Sequence, residues 1–192
     1  MIFFFYVNLI YNLNNQLFMK KVFLIVSIVL LGFGNVNAQE TKYGITSGFH
    51  RLTISSSALG LTLSQNASGF FVGFFADFNF SEKFNIQPEI HFASTYNEGE
   101  SANEIIIPVM AKYMVSEKFN LQVGPQFDFI TEESEGLNKF GVGLGFGFGY
   151  DFSDKLFVAS RYSLGLTNRI QDASEDFSSK FNTFQIGLGY RF

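Results

Sequence analysis

The chain has 192 residues, with 27 phenylalanines, 8 tyrosines and 18 glycines but no tryptophan and no cysteine. Charged residues make up 16% and the net charge is −4, whereas soluble domains are about one-quarter charged. This mixture excludes a disordered chain, a disulfide-stapled scaffold and a nucleic-acid binder, which need few aromatics, paired cysteines and a basic surface respectively.

Residues 20–38 read KKVFLIVSIVLLGFGNVNA. Lys20 and Lys21 form a cationic head, Val22 to Leu31 is an apolar run broken only by Ser27, and Val36-Asn37-Ala38 supplies the small-residue end. That is the layout of a secretory signal peptide cleaved after Ala38. The run is too short for a spanning anchor, which takes ~20 apolar residues. Met19-Lys20-Lys21 already supplies a charged start. Residues 1–18 are therefore read as an over-extended translation, 19–38 as the signal peptide and 39–192 as the mature domain. Export without cysteine fits a bacterial envelope protein that relies on no disulfides.

Beyond residue 42 no long segment carries a 3.6-residue apolar stripe. Alternation at period two recurs instead, the pattern of strands with one apolar face. It predicts eight strands, at 43–52, 69–80, 84–97, 104–115, 119–131, 139–152, 156–167 and 181–192. In the second, Phe70, Val72, Phe74, Ala76, Phe78 and Phe80 share a face. In the sixth, Phe140, Val142, Leu144, Phe146, Phe148, Tyr150 and Phe152 alternate with glycines and Asp151. In the last, Phe184, Ile186, Leu188, Tyr190 and Phe192 alternate with Gln185, Gly187, Gly189 and Arg191. Pro88, Pro108 and Pro125 fall inside strands, and bulges are expected there because proline cannot donate to a ladder.

The strings FSEKFNIQ (80–87), VSEKFNLQ (115–122) and FSDKLFVA (152–159) each open a tight polar turn. With three-residue loops, Phe80 faces Phe84, Val115 faces Phe119 and Phe152 faces Leu156, each pair on the apolar side. A one-residue slip would reverse every side chain, so agreement among these hairpins specifies register. The remaining connections, 53–68, 97–103, 132–138 and 168–180, are longer and polar. Short turns alternating with long loops, and both chain ends beside the turns, give an eight-stranded antiparallel transmembrane up-and-down β-barrel as the expected fold.

Apolar rows this bulky do not fit inside eight strands, whose interior holds only side chains or one small ligand. They are expected to face lipid. The lumen then receives Gly, Gln, Asn, Thr and the charged or titratable residues His50, Asp77, Glu89, His91, Glu104, Lys112, Asp128, Asp151, Arg161 and Arg191. Charge in so narrow a space must be paired. A structural network plugging the barrel is expected from Asp77, Glu89, His91, Lys112, Arg161 and Arg191. Counted from the turns, Asp77 is level with Lys112 and Glu89 with Arg161, and Arg161 lies opposite Gly147. Tyr43, Tyr113, Tyr150 and Tyr190 fall near the turn end, where an aromatic girdle belongs. Ile106, on the luminal face, has no partner in this scheme.

The strings GFFADFNFSEKFNIQPEIHFAS, IIIPVMAKYMVSEKFNLQVGPQFDF, FGVGLGFGFGYDFSDKLFVASRYSLGLTN and FQIGLGYRF resemble the porin-like, PorT-type outer-membrane β-barrel family of Bacteroidetes, over most of 69–192. The resemblance implies insertion by the barrel-assembly machinery. That machinery would read the C-terminal strand through Phe184, Ile186, Leu188, Tyr190 and Phe192. Some members of that family are linked to secretion across the outer membrane.

No catalytic signature accompanies these strings. GVGLGFGFG lacks the G-x-G-x-x-G spacing and no helix follows it. His50 and His91 show no metal-ligand spacing, so no cofactor or metal is expected. A lipid A-modifying enzyme would need a serine activated by histidine, yet His91 and Ser94 have opposite parity. The acidic loop residues Glu98, Glu100, Glu132, Glu133, Glu135, Asp172, Glu175 and Asp176 could bridge cations to lipopolysaccharide or meet a protein partner. The expected function is a non-enzymatic, monomeric outer-membrane barrel with a structural or surface-interaction role. A small channel or secretion accessory is the alternative.

Overall fold

A computed structural model describes residues 41–97, 100–132, 136–171 and 177–192. The stretches read as an over-extended start and a signal peptide lie outside them. Eight strands follow in chain order: β1 Thr41–Ala58, β2 Leu61–Ser81, β3 Phe84–Asn97, β4 Glu100–Met114, β5 Phe119–Ile130, β6 Phe140–Asp151, β7 Leu156–Gly165 and β8 Phe177–Arg191. Each pairs antiparallel with its sequence neighbour, and β1 pairs with β8 to close the barrel.

Alternation explains closure. Along β1, Gly44, Thr46, His50 and Leu52 are buried while Tyr43, Ile45 and Phe49 are exposed on the outside. The outer surface carries Phe70, Val72, Phe74, Val123, Phe146, Phe148, Ile186 and Leu188, all exposed. So continuous an apolar coat marks a surface that does not meet water. Tyr43, Tyr113, Tyr150 and Tyr190 are exposed on that coat at the turn end.

Two turns have the expected register. Val115 and Ser116 both donate to Phe119 O, and Phe152 and Ser153 both donate to Leu156 O, closing three-residue loops. The first turn differs: Ser81 pairs with Phe84, and the register shifts between Asn79 and Ser81. The extra residue, Phe80, still brings its ring to 6.3 Å from that of Phe84. The prolines produce no such shift. Pairing between β3 and β4 lapses after Pro88–Val109 and resumes at His91–Ile106 in unchanged register. A missing donor there breaks individual rungs without displacing the strands.

The largest departure is at 53–68, read from its serines as a loop. These residues continue β1 and β2 as a hairpin closed by Leu59-Gly60, with an unbroken register from Thr41–Phe78 to Ala58–Leu61. Both turn residues have positive φ, 51° and 82°, the backbone of a two-residue type I′ turn. Serine and threonine side chains form rungs across this hairpin, Thr53 to Asn66, Ser55 to Ser64 and Ser57 to Thr62. A polar strand above the apolar band thus looks like a loop to a hydrophobicity pattern. At the other loops, β4 starts at Glu100 and β8 at Phe177, both earlier than the pattern suggested.

Candidate functional site

The lumen is where polar side chains converge, and it is not purely polar. Phe71, Phe75, Phe157 and Phe181 are buried inside the barrel, which corrects the expectation of a glycine-and-polar interior. The doublets Phe70-Phe71 and Phe74-Phe75 place one ring on each face. The inner rings fit because facing positions are small: a Cβ on Gly189 would overlap the Phe157 ring, and one on Gly73 would overlap His91. Ile106 finds its partners here, packed with Phe71 and Ala93.

At the turn end, Lys112 Nζ donates to Asp77 Oδ2 and to Gln87 Oε1, both at 2.7 Å. Asn85 donates to the other Asp77 oxygen at 2.9 Å. Arg191 pairs with Asp151 at 2.7 Å. Between these two cations lies Phe157, with Arg191 4.5 Å and Lys112 6.0 Å from its ring centre. Phe75 meets Phe157 edge-on at 5.4 Å. A vestibule of about 330 Å³ opens at this end, lined among others by Lys42, Glu82, Lys118 and Asp154, and reaches as far as Asp77, Lys112 and Arg191.

In the middle, buried Glu89 collects three donors. Arg161 Nη2 lies 2.5 Å from Oε1, Gln87 Nε2 2.7 Å from the same oxygen, and His91 Nε2 2.6 Å from Oε2. Arg161 Nε donates to Gln122 at 2.6 Å, and Gln122 donates on to Asn120. Arg161 does stand opposite Gly147. Nearer the loop end, His50 Nε2 and Glu104 Oε1 are 2.9 Å apart, both side chains buried.

The loop end contains a residue that the sequence pattern did not single out. Arg169, in the β7–β8 connection, is 1% exposed and enters the barrel mouth to pair with Asp128. It donates to Asn138 O and Lys139 O at 3.1 Å and lies over the Phe181 ring at 4.6 Å. Gly141 leaves the space its guanidinium occupies. Burial lowers its pKa to about 10, with Glu104 opposing the shift, so it remains charged at neutral pH. Its backbone is pinned by Asn138 N to Arg169 O and Arg169 N to Ser179 O, and a bridge joins Leu137 to Ile170. Loop positions have no period, so nothing in the string NRIQ distinguishes an inserted arginine from a solvated one.

The geometry thus joins Asp77 with Lys112, and Glu89 with both Arg161 and His91, while Arg191 pairs with Asp151. Among the described residues, no group of three or more candidate ligands could hold a metal ion. Glu132 is tied to Asn103. Glu98, Glu133, Glu135, Asp172, Glu175 and Asp176 lie outside the described residues.

A search of curated proteins finds no match to this sequence. Among solved structures the chain is similar to Ail, the attachment invasion locus protein of Yersinia pestis, at TM-score 0.48 and 19% identity, covering 80% of this chain and 99% of that one. It is also similar to OprG from Pseudomonas aeruginosa, at 0.44 and 14%, covering 79% and 95%. Neisserial surface protein A matches at 0.46 and 13%, covering 79% and 97%. The family described as outer membrane protein beta-barrel domain matches over residues 23–192. The chain therefore belongs to the outer-membrane protein β-barrel domain family.

Proposed function

We propose that this outer-membrane barrel is non-enzymatic, has its lumen closed by its own side chains, and acts through its extracellular surface. The observation that carries this reading is the succession of filled levels in the lumen. They are Lys112–Asp77 with Phe157, Arg161–Glu89–His91, Phe71–Ala93–Ile106, and Arg169–Asp128. An eight-stranded interior filled at successive heights leaves no continuous water path. The short turns face the periplasm, as in other barrels of this kind, so the vestibule is a periplasmic dead end. Both histidines direct Nε2 to a luminal glutamate, away from lipid on the outer wall, which supports a non-enzymatic role. Single-channel recording on refolded protein tests the plug: silence is expected, and stable conductance steps would favour a channel.

The outward row of β8, with Ile186, Leu188 and Tyr190 exposed and Phe192 exposed just beyond its end, supports the role of the C-terminal strand as the signal read by the barrel-assembly machinery. The family strings support a Bacteroidetes, PorT-type origin; a monomeric state, and contact with lipopolysaccharide through the acidic loops, belong to the same proposal. The start at Met19 and cleavage after Ala38 complete the proposal; N-terminal mass spectrometry of precursor and mature protein tests both.

A further inference from the structure

Above the apolar band the barrel wall changes character without changing register. In the band, outward residues are Ile45, Phe49, Phe70 and Val72, and the inward ones, Thr46, His50, Phe71 and Phe75 among them, are buried. Beyond Leu52 the same outward phase carries Ser, Thr and Asn, and the inward phase carries Leu61 and Leu63, which are 76% and 77% exposed. This segment rises six residue pairs, Thr53–Asn66 to Ala58–Leu61, or roughly 20 Å along the strand. It is braced on one side only. β8 pairs with β1 as far as Ala58–Phe177. On the other side β3 pairs with β2 only up to Tyr96–Ser68, and its own hairpin with β4 ends at Asn97–Glu100. Among the described residues, Leu61–Ala67 therefore has one ladder edge open to the cell exterior.

We propose that this edge is a strand-addition site for an extended, uncharged segment of a partner protein outside the cell, a proposal that rests on the surface-interaction reading above. Exposed sheet edges are ordinarily blunted by lysine, proline, a bulge or short length. Residues 53–68 contain no charged residue and no proline, and their register has no shift. The Ser and Thr rungs and the β8 ladder hold the edge in strand form before anything binds, which lowers the ordering cost of binding. Ala58–Leu61 closes a two-residue hairpin and so is a hydrogen-bonded pair. The alternation then directs the N–H groups of Thr62, Ser64 and Asn66 to the open side.

The chemistry of the occupant follows from the two faces. A strand added here places alternate side chains beside Leu61 and Leu63 on one face and beside Thr62, Ser64 and Asn66 on the other. The matching segment alternates apolar with uncharged polar residues, the pattern used in peptide recognition by strand addition. A second copy in the same membrane does not fit. Two copies hold β2 in the same direction, and a parallel ladder uses non-equivalent residues on its two strands, so a twofold pair cannot form it.

The test uses the full chain in lipid nanodiscs and a labelled eight-residue peptide alternating leucine with threonine. Saturable binding is expected, together with at least tenfold slower amide exchange at Thr62, Ser64 and Asn66. Ser64→Pro removes a donor from the open edge and leaves the β1 ladder intact; it is expected to weaken binding at least tenfold. Ser64→Lys should do the same by charge, and Glu117→Gln, in the exposed turn between β4 and β5 at the opposite end of the barrel, should change nothing. Heat-modifiable gel mobility verifies that each variant is folded. The proposal is overturned by absent or non-saturable binding, by equal binding to folded Ser64→Pro, or by binding that requires lipopolysaccharide in the disc and ignores that substitution. Such failures leave a silent lumen as it was, whereas conductance steps would sink the plugged reading without touching the edge assay.

Discussion

Arg161 and Glu89 meet at 2.5 Å across the full width of the lumen, from strands four apart in a ring of eight. No ladder joins β7 to β3, so this contact ties opposite walls where backbone hydrogen bonds cannot. Glu89 is also where Gln87 and His91 converge, which makes it the hub of the middle level.

Arg161→Met should destabilise the refolded barrel by about 3–5 kcal/mol, because it leaves a buried carboxylate without its main cation. Urea unfolding in micelles measures this. Adding Glu89→Gln in the same chain should recover most of the loss, since a neutral amide needs no counter-charge. Unchanged stability in the single variant would show that the pair is not a structural element of the plug.

Gly189→Ala tests how tightly the lower level is filled. The atoms nearest a Cβ there all belong to the Phe157 ring, and overpacking typically costs about 1–3 kcal/mol. Phe157→Leu in the same chain should relieve much of that cost, and paired unfolding curves would reveal the coupling. A neutral Gly189→Ala would mean that the ring moves aside freely.

Arg169→Ala should act locally. The side chain holds Asn138 and Lys139 carbonyls at the barrel mouth, so its loss should free the extracellular loops around Leu137 and Ile170. Limited proteolysis of intact nanodiscs should show cleavage in these loops several-fold faster than in the parent. Cleavage at the parent rate would assign loop closure to the backbone bridge alone.

The polarity change along β1 and β2 locates the membrane boundary. Phe146→Lys, in the apolar band, should cost about 2–4 kcal/mol, the range for a cation near the bilayer midplane. Ser55→Lys, on the hairpin above it, should stay within about 0.5 kcal/mol. Similar costs at the two positions would contradict a boundary between them.

Much of the wall was legible beforehand. Phe140 to Phe152 alternate with glycine and Asp151, and VSEKF and FSDKL each announce a three-residue turn, so face and register followed from local spacing. The luminal phenylalanines were not legible in the same way. Phe70-Phe71 and Phe74-Phe75 put equal rings on both faces, and period two cannot rank identical residues. The hairpin at 53–68 was missed because its strands are polar on the outward face, where the pattern looks for apolar residues. Arg169 lies in a loop, where no period applies.

Period-two alternation and turn chemistry, both local, were enough to determine an eight-stranded barrel with an apolar outer wall. What happens across the lumen and beyond the membrane was decided by tertiary structure. Closure of β1 onto β8 sets which inward side chains share a level, bringing Arg161 to Glu89 and His50 to Glu104. The same closure braces the β1–β2 hairpin along β8 while β3 stops at Asn97. An open edge depends on where neighbouring strands end, a relation between distant segments that no single stretch of sequence carries.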